Sequence, residues 1–276
     1  MDSPVAWLIV FAGIGYGMLC LVMYFRQTRY VYHPERELIA DPSEAGMSFQ
    51  DVFIDTGDGA RLHGWYIPAA CPKGTVLFFH GNTGNISHVI ETLRIIHEAD
   101  MNCLAIDYRG YGRSTGEADE AGTYRDAEAA YRYLVGDLGI PADRIVLFGR
   151  SLGGAVAVYL ATRVQPRALV IESSFTSVPD LARRLFPYVP ARWLARIRYN
   201  SIARMPHITC PVLIIHSRED EFIPFEQAEK LFARARGEKT LLEISGAHND
   251  GFLTSGKRYI EGLQRFLNRC CSVGAS

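Results

Sequence analysis

The chain has 276 residues, of which 48% are hydrophobic, and its 29 Lys and Arg residues are balanced by 30 Asp and Glu residues. This length and composition suit one large domain with a substantial core. The even charge balance gives no indication of a nucleic-acid partner. The six cysteines form neither a CxxC pair nor a zinc-ligand spacing.

The first predicted element is an apolar helix over Val5 to Phe25, a stretch without a charged residue. Its length is close to the ~20 residues that a helix needs to cross a bilayer. The start, MDSP, is not basic, and the end of the run offers no small-residue cleavage site, which disfavours a cleaved signal peptide. Met18 and Leu19 before Cys20 disfavour a lipoprotein signal. The sequence therefore predicts a single-pass membrane anchor over residues 1–30.

Charged residues next to this helix predict its orientation. Arg26, Arg29 and Arg36 follow the helix, whereas Asp2 precedes it. The flank richer in arginine usually faces the cytoplasm. We therefore expect residues 31–276 to lie inside the cell.

The next runs predict a hairpin and then an alternating pattern. FQDVFID and RLHGWYIP flank an Asp-Gly turn, which is typical of a β-hairpin. From Thr75 onward, runs rich in Val, Ile and Leu alternate with helix-like segments. Such alternation predicts an α/β fold with a buried, mostly parallel sheet, here of about eight strands.

One segment, about residues 176–208, is too long for a single crossover helix and reads as a helical cap inserted over one end of the sheet. Two interpretations of its composition stay open: the aromatic rings pack on the sheet and the arginines form a solvated face, or the cap docks on an anionic membrane with its aromatic rings at headgroup depth. The residues concerned are Arg183, Arg184, Arg192, Arg196, Arg198, Arg204, Phe186, Tyr188, Trp193 and Tyr199.

The sequence FGRSLGG joins an apolar strand-like run to a small-residue helical run. Gly149 to Gly153 fit the pattern G-x-S-x-G, in which small residues permit a sharp turn that exposes the serine. A serine helix cap would explain Ser151 but not both flanking glycines. We therefore predict that Ser151 is a nucleophile.

A serine nucleophile needs a base, and the base needs an acid that orients it. In this arrangement the acid and then the histidine follow the serine along the chain. His248 follows the last predicted strand and is the candidate base. Glu219, Asp220 and Glu221 follow an earlier strand and are the candidate acids.

Six motifs together resemble the α/β-hydrolase superfamily, and within it the membrane-anchored abhydrolase branch with a short cap. They are HGNTGN, DYRGYGRS, GRSLGG, ESSFTS, SREDEFIP and GAHNDGF, and the resemblance covers Phe49 to Leu267. In that family the acid lies four residues before a proline, which matches Asp220. The resemblance makes Glu219 and Glu221 solvent-facing neighbours.

Attack on a carbonyl creates an oxyanion that needs two fixed donors. The backbone N–H after the nucleophile, that of Leu152, is the first. The resemblance assigns the second to Asn82, the residue after His80 and Gly81, with Thr83 as the next candidate.

The same resemblance gives Asp107 and Arg109 a role in bracing loops, and His80 a role in packing and hydrogen bonding rather than as a base. The sequence contains no metal-ligand cluster and no dinucleotide-binding glycine motif, so we expect neither a metal nor a cofactor.

The predicted function is hydrolysis of carboxylic esters or thioesters, with lipid-like or acylated substrates at the membrane. The same residues could serve a serine peptidase or an acyltransferase, and a non-catalytic membrane scaffold is the alternative from another class. For the adjacent Cys270 and Cys271, a lipidation site and a frayed tail are the two interpretations, of which the tail is favoured.

Overall fold

Most of the apolar runs that predict strands lie side by side in one sheet. The structure, a computed structural model, describes residues 3–271; Asp2, used above for orientation, lies outside them. The described residues contain ten strands: β1 (His33–Pro34), β2 (Gln50–Asp55), β3 (Arg61–Ile67), β4 (Gly74–Phe79), β5 (Thr83–Gly84), β6 (Met101–Ile106), β7 (Ile145–Arg150), β8 (Ala168–Glu172), β9 (Val212–Ser217) and β10 (Lys239–Ile244).

Eight of these strands form the central sheet, in the order β10–β9–β8–β7–β4–β6–β3–β2. All neighbouring pairs are parallel except β2–β3 and β3–β6. The predicted hairpin is β2–β3, in which Gln50 pairs with Tyr66 and Asp55 with Arg61. Gly59 in its turn has a φ of +90°, which glycine adopts at little cost. The prediction of a mostly parallel, eight-stranded α/β fold is confirmed.

Helices cover both faces of the sheet. The described helices are α1 (Pro4–Phe25), α2 (Gln27–Val31), α3 (Ile90–His97), α4 (Glu120–Arg132), α5 (Leu152–Ala161), α6 (Val178–Leu185), α7 (Ala191–Leu194), α8 (Ser201–Arg204), α9 (Phe225–Arg234), α10 (Gly251–Ser255) and α11 (Lys257–Cys271).

The core lies in two layers, one on each face of the sheet. On β4, Leu77 and Phe79 belong to the layer under α4, α5 and α9, whereas Val76 and Phe78 belong to the layer under α3 and α11. Because successive strand residues point to opposite faces, a strand buried on both sides must be apolar throughout. This burial explains why the central strands read as continuous apolar runs.

The N-terminal helix α1 differs from the other described helices in its length and apolar composition. None of its residues is buried, and it is the one helix within residues 3–271 that is long and apolar enough to cross a membrane. The chain continues through α2, and β1 then pairs in parallel with β5, His33 opposite Thr83. The sequence analysis predicted neither α2 nor this pairing.

The segment between β8 and β9 contains α6, α7 and α8. One of its arginines does not fit either interpretation given above: the Arg204 guanidinium lies 5.0 Å from the ring centre of Tyr124 and 5.4 Å from that of Tyr159. Arg204 therefore packs on the domain and belongs to no exposed arginine face. Tyr199 is fully buried, so its ring belongs to the core and does not reach headgroup depth.

The interpretation of Cys270 and Cys271 as a frayed tail is wrong. Both lie in the last turn of α11, with exposed fractions of 5% and 7%. The helix buries its apolar side against the sheet, and the two thiols belong to that buried side.

Candidate active site

Ser151 occupies the turn between β7 and α5. Its φ is +54° and its ψ is −118°, a strained conformation for a residue with a side chain. A β-carbon on Gly149 would collide with the Gly153 backbone, and one on Gly153 would collide with the carbonyl oxygen of Phe79. Both glycines are therefore required by close packing of the turn, as the G-x-S-x-G pattern predicts.

The structure brings Ser151, His248 and Asp220 together from three separate loops at the carboxyl ends of the strands. His248 Nε2 lies 3.1 Å from Ser151 Oγ, and His248 Nδ1 lies 2.7 Å from Asp220 Oδ2. These distances join the three side chains by two hydrogen bonds, although the residues are up to 97 positions apart. The arrangement allows His248 to accept the hydroxyl proton while Asp220 holds the ring.

Asp220 is held as a carboxylate. Its second oxygen accepts hydrogen bonds from the N–H groups of Phe222 and Ile223, at 3.0 and 2.7 Å. Burial raises the pKa of Asp220, but the hydrogen bond and charge of His248, together with the Ile223 N–H, outweigh burial and bring this pKa below its ordinary value. The group beside His248 is therefore negatively charged at neutral pH.

Glu219 and Glu221 do more than face solvent. Both are exposed, but Glu219 accepts a hydrogen bond of 2.9 Å from the Gly246 N–H, and Glu221 accepts one of 3.0 Å from the His248 N–H. The two glutamates thus hold the backbone of the loop that carries His248, while Asp220 contacts its ring. The expectation that they are only solvent-facing neighbours was incomplete.

Arg150 is a site residue that the sequence analysis missed. Its Nη2 donates a 2.6 Å hydrogen bond to the Asn249 carbonyl, and its guanidinium lies over the Phe252 ring, 4.6 Å from the centre. Glu172, almost fully buried, lies 3.5 Å from the same guanidinium. Arg150 therefore ties the turn of Ser151 to the loop of His248. Its place as the variable residue of G-x-S-x-G gave no signal of this role.

Two loops can supply backbone donors next to Ser151. Leu152 begins α5, and the first N–H groups of a helix have no acceptor within the helix. A β-carbon on Gly81 would lie 3.6 Å from Ser151 Cβ, so the loop after β4 passes directly beside the serine. The Asn82 side chain donates to the Val31 carbonyl at 2.7 Å, which leaves its backbone N–H as the relevant group. Thr83 is exposed and lies in β5.

Comparison with known proteins agrees with this architecture. The family described as "Serine aminopeptidase, S33" matches residues 70–205, a range that includes Ser151 but ends before Asp220. An uncharacterized protein of Mycobacterium tuberculosis is 34% identical over 98% of this chain and 96% of its own length. The "Alpha/beta hydrolase domain-containing protein WAV2" of Arabidopsis thaliana is 33% identical over 94% of this chain and 92% of its own length. The chain belongs to the α/β-hydrolase superfamily.

The likeness extends to solved structures of α/β-hydrolases. The esterase Pf2001 of Pyrococcus furiosus is similar to this chain with a TM-score of 0.74 and 22% identity, over 87% of this chain and 99% of its own. At that identity the likeness concerns the fold. The loops that carry Ser151, Asp220 and His248 therefore lie at the end of the sheet where α/β folds bind ligands.

Buried polar residues stabilise the loop after β4 in this α/β-hydrolase. Asp107 accepts a 2.8 Å hydrogen bond from the Ile86 N–H, and Arg109 forms an ion pair of 2.8 Å with buried Asp126. His80 Nδ1 lies 2.8 Å from the Gly81 carbonyl oxygen. Burial lowers the pKa of His80, so that its ring stays neutral. The contacts of Asp107 and His80 hold the segment beside Ser151 in place, whereas the Arg109 ion pair joins the neighbouring loop after β6 to α4.

The Ser151 hydroxyl opens into a cavity of about 690 Å³, within the range of small-molecule sites. Apolar side chains of the 178–195 segment form much of its wall, and none of its described lining residues is an Asp or Glu. Among residues 3–271, no cluster of His, Cys, Asp and Glu could hold a metal ion. The cavity therefore favours an apolar group next to the serine.

Proposed function

We propose that this α/β-hydrolase cleaves carboxylic esters or thioesters through an acyl-enzyme on Ser151. The observation that carries the proposal is the pair of hydrogen bonds that links Ser151 Oγ through His248 to Asp220, at the base of an apolar cavity. A serine hydroxyl is a weak nucleophile at neutral pH unless such a base takes its proton.

In the first half of the reaction, Ser151 Oγ attacks the carbonyl carbon and His248 Nε2 takes the hydroxyl proton. The negative charge that develops on the carbonyl oxygen is stabilised by the backbone N–H groups of Leu152 and Asn82. Asp220 offsets the positive charge of the imidazolium. The bond to the alcohol or thiol then breaks, and His248 gives its proton to that leaving group.

In the second half, water attacks the ester carbon on Ser151 while His248 takes a proton from the water. The intermediate collapses, the bond from the carbon to Ser151 Oγ breaks, and the proton returns to Oγ. The products are the alcohol or thiol and the carboxylic acid. Transfer to an acceptor other than water would make the same residues an acyltransferase.

The lining of the cavity favours an ester substrate over a peptide substrate with a free N-terminus, although the matching family is described as a serine aminopeptidase. An aminopeptidase must bind a free α-ammonium group, and a buried cation needs an anionic partner. The described lining residues include no carboxylate. An uncharged acyl group is the better match for this lining.

We also propose where the enzyme acts. Residues 1–30 form a membrane anchor, residues 31–276 form the hydrolase domain, and residues 176–208 form its cap. Helix α1 supports the anchor because it is apolar and unburied along its described length. The arginines that follow α1 favour a cytoplasmic hydrolase domain.

The test combines a fluorophosphonate probe with a series of p-nitrophenyl esters from acetyl to palmitoyl. The full-length protein should be labelled and should hydrolyse at least one ester, and Ser151→Ala should remove both properties, because loss of the nucleophile costs several orders of magnitude in turnover. An unlabelled, inactive wild-type protein would instead favour the non-catalytic scaffold. Labelling and turnover that survive in Ser151→Ala would place the nucleophile elsewhere.

A further inference from the structure

One wall of the cavity above Ser151 comes from α1 and α2, where the proposed anchor meets the hydrolase domain. Met23, near the end of α1, and Gln27, Tyr30 and Val31 of α2 line the cavity. The opposite wall comes from the cap, 178–195. A helix that reads as a membrane anchor therefore encloses the site of a proposed reaction.

Gln27 joins the two walls. Its Nε2 donates to the Leu194 carbonyl at 2.6 Å, and its Oε1 accepts from the N–H groups of Arg196 and Ile197 at 2.7 and 3.3 Å. The side-chain amide uses both its donor and its acceptor side on the cap backbone. The turn after α7 is thus fixed to the end of the apolar helix.

The tip of the cap reaches far along α1. The Tyr16 hydroxyl donates a 2.9 Å hydrogen bond to the Tyr188 carbonyl. Tyr16 precedes the end of α1 at Phe25 by nine residues, or about 13 Å along the axis. A bilayer core is about 30 Å thick. In a membrane spanned by α1, the tip of the cap would therefore reach nearly halfway through the hydrocarbon core of the bilayer.

The side chains at this tip suit a hydrocarbon environment. Tyr188 is 88% exposed and Trp193 is 89% exposed, and Leu185 and Phe186 are also exposed. A cluster of exposed apolar side chains on a soluble surface marks a site of interaction. The backbone between α6 and α7 contains Pro187 and Pro190, which have no N–H group that would need a partner in lipid.

Charge places the cap relative to the lipid headgroups. The Arg196 guanidinium lies over the Tyr24 ring, 5.4 Å from its centre, at the end of α1. Arg and Tyr residues at the end of a membrane helix lie at headgroup depth. The cap exposes further arginines outside its tip, which an anionic leaflet would attract: Arg183, Arg184 and Arg198. Arg192, beside Trp193, has its charge paired with Asp180 at 3.0 Å.

We propose that the cap tip, residues 185–193, lies within the leaflet that holds the C-terminal half of α1, and that the cavity takes an acyl chain directly from that leaflet. The substrate is a lipid with a long-chain carboxylic ester, whose chain passes between α1 and the cap to Ser151. Such a route avoids exposing the methylene groups to water, which is unfavourable for each group. The inference rests on the proposed function, because it identifies the substrate class of the same site.

The position of the tip is tested by fluorescence of full-length protein in vesicles that contain brominated phospholipids. Trp7→Phe leaves Trp193 and the buried Trp65 as the fluorophores, and the Trp7→Phe/Trp193→Phe variant supplies the Trp65 background. We expect bromine on the acyl chains to reduce the Trp193 emission, because quenching requires contact with the chains. Emission that is unchanged by brominated chains would overturn the proposal.

The substrate class is tested with Tyr188→Ser/Trp193→Ser, since neither residue lines the cavity. Hydrolysis of a palmitoyl glycerolipid in vesicles should fall about tenfold or more, while that of soluble p-nitrophenyl butyrate stays at the wild-type rate. Phe53→Ser removes an exposed aromatic ring on β2 and should change neither rate. An equal loss on both substrates would overturn the proposal.

Measurements on wild-type protein then separate the lipid substrate from the proposed ester hydrolysis itself. Activity on p-nitrophenyl butyrate without activity on the vesicle lipid would overturn the lipid substrate and leave the proposed function standing. Absence of both activities, with no fluorophosphonate labelling, would refute the proposed function. A clear preference for a palmitoylated peptide in the same vesicles would also overturn the assignment to lipids.

Discussion

Arg150 Nη2 donates a 2.6 Å hydrogen bond to the Asn249 carbonyl, which joins the residue before Ser151 to the residue after His248. The bond fixes the distance between Ser151 and His248, the proposed nucleophile and its proposed base, which lie on separate loops. A displacement of about 1 Å between reacting groups can cost up to about 100-fold in rate. Arg150 is therefore a positioning residue in the proposed mechanism.

We expect Arg150→Met to lower kcat for p-nitrophenyl butyrate by about 10- to 100-fold with a smaller change in KM. Removal of Arg150 also leaves Glu172 without its ion pair, so the same substitution in a Glu172→Gln background separates stability from positioning. Wild-type kcat in Arg150→Met would contradict the positioning role. If kcat returns to the wild-type value when Arg150→Met is combined with Glu172→Gln, the effect of Arg150→Met comes from the unpaired Glu172 carboxylate.

Asp220 is the acid in the proposed reaction, and its neighbours provide matched controls. Asp220→Asn should lower kcat by about 10³- to 10⁴-fold, because a neutral amide cannot offset the imidazolium charge. Glu219→Gln and Glu221→Gln retain an oxygen that can accept from Gly246 and His248, and should lose far less. Steady-state kinetics on one short ester is sufficient. A greater loss at Glu219 than at Asp220 would mean that the acid is one residue away.

The turn at Ser151 leaves no room for a larger residue at Gly153. A β-carbon there would meet the backbone carbonyls of Phe79 and His80, which cannot move without disrupting β4. We expect Gly153→Ala to lower the free energy of unfolding by at least about 2 kcal/mol. Gly136→Ala is the control, since nothing lies within 4 Å of its β-carbon, and it should be neutral or slightly stabilising. Denaturant unfolding of the two variants makes the comparison.

The sheet and the order of the candidate site residues could be predicted because each leaves a local signal. Continuous apolar runs mark doubly buried strands, and Ser151 and Asp220 each follow such a run. His248 follows β10, an edge strand that is only partly buried but still has a short apolar run. The contacts of Gln27 with the cap backbone leave no such signal, because they join residues up to 170 positions apart and form between a side chain and backbone groups. The pairing of β1 with β5 is likewise only two residues long and has no hydrophobic period.

Two buried histidines should make the protein less stable in mild acid. Burial lowers the pKa of both His80, which faces Asp107 and His88, and His216, which faces Asp220 and His248. The unfolded chain then binds protons at about pH 6.5 while the folded state does not. The stability is therefore full above this pH and is lost as pH falls below it, by at most about 1.4 kcal/mol per pH unit for each group.

The corresponding experiment measures thermal unfolding in detergent between pH 7.5 and 5.5. His216→Gln should reduce the slope of the unfolding temperature against pH, because Gln does not titrate. Gln can still donate to the Ile223 carbonyl that His216 contacts at 2.7 Å. His207→Gln changes an exposed histidine and should leave the slope unchanged. Equal slopes for wild type and His216→Gln would contradict a neutral buried ring.

The last prediction concerns the attachment of the cap to the N-terminal helix. Gln27 makes three hydrogen bonds with the backbone of residues 194–197, and each such bond contributes about 1 kcal/mol net. We expect Gln27→Ala in full-length protein to increase the population of a detached cap by tenfold or more. A loss of about 1.4 kcal/mol in the free energy of attachment corresponds to each factor of ten. Trypsin measures this population in detergent, because Arg183, Arg184 and Arg192 lie in or beside α6 and α7 and cleavage requires the chain around them to open. Thr28→Ala changes the next, exposed residue of α2 and should be cut at the wild-type rate. Equal cleavage of Gln27→Ala and Thr28→Ala would show that the cap is held by its other contacts and that Gln27 does not couple it to the helix.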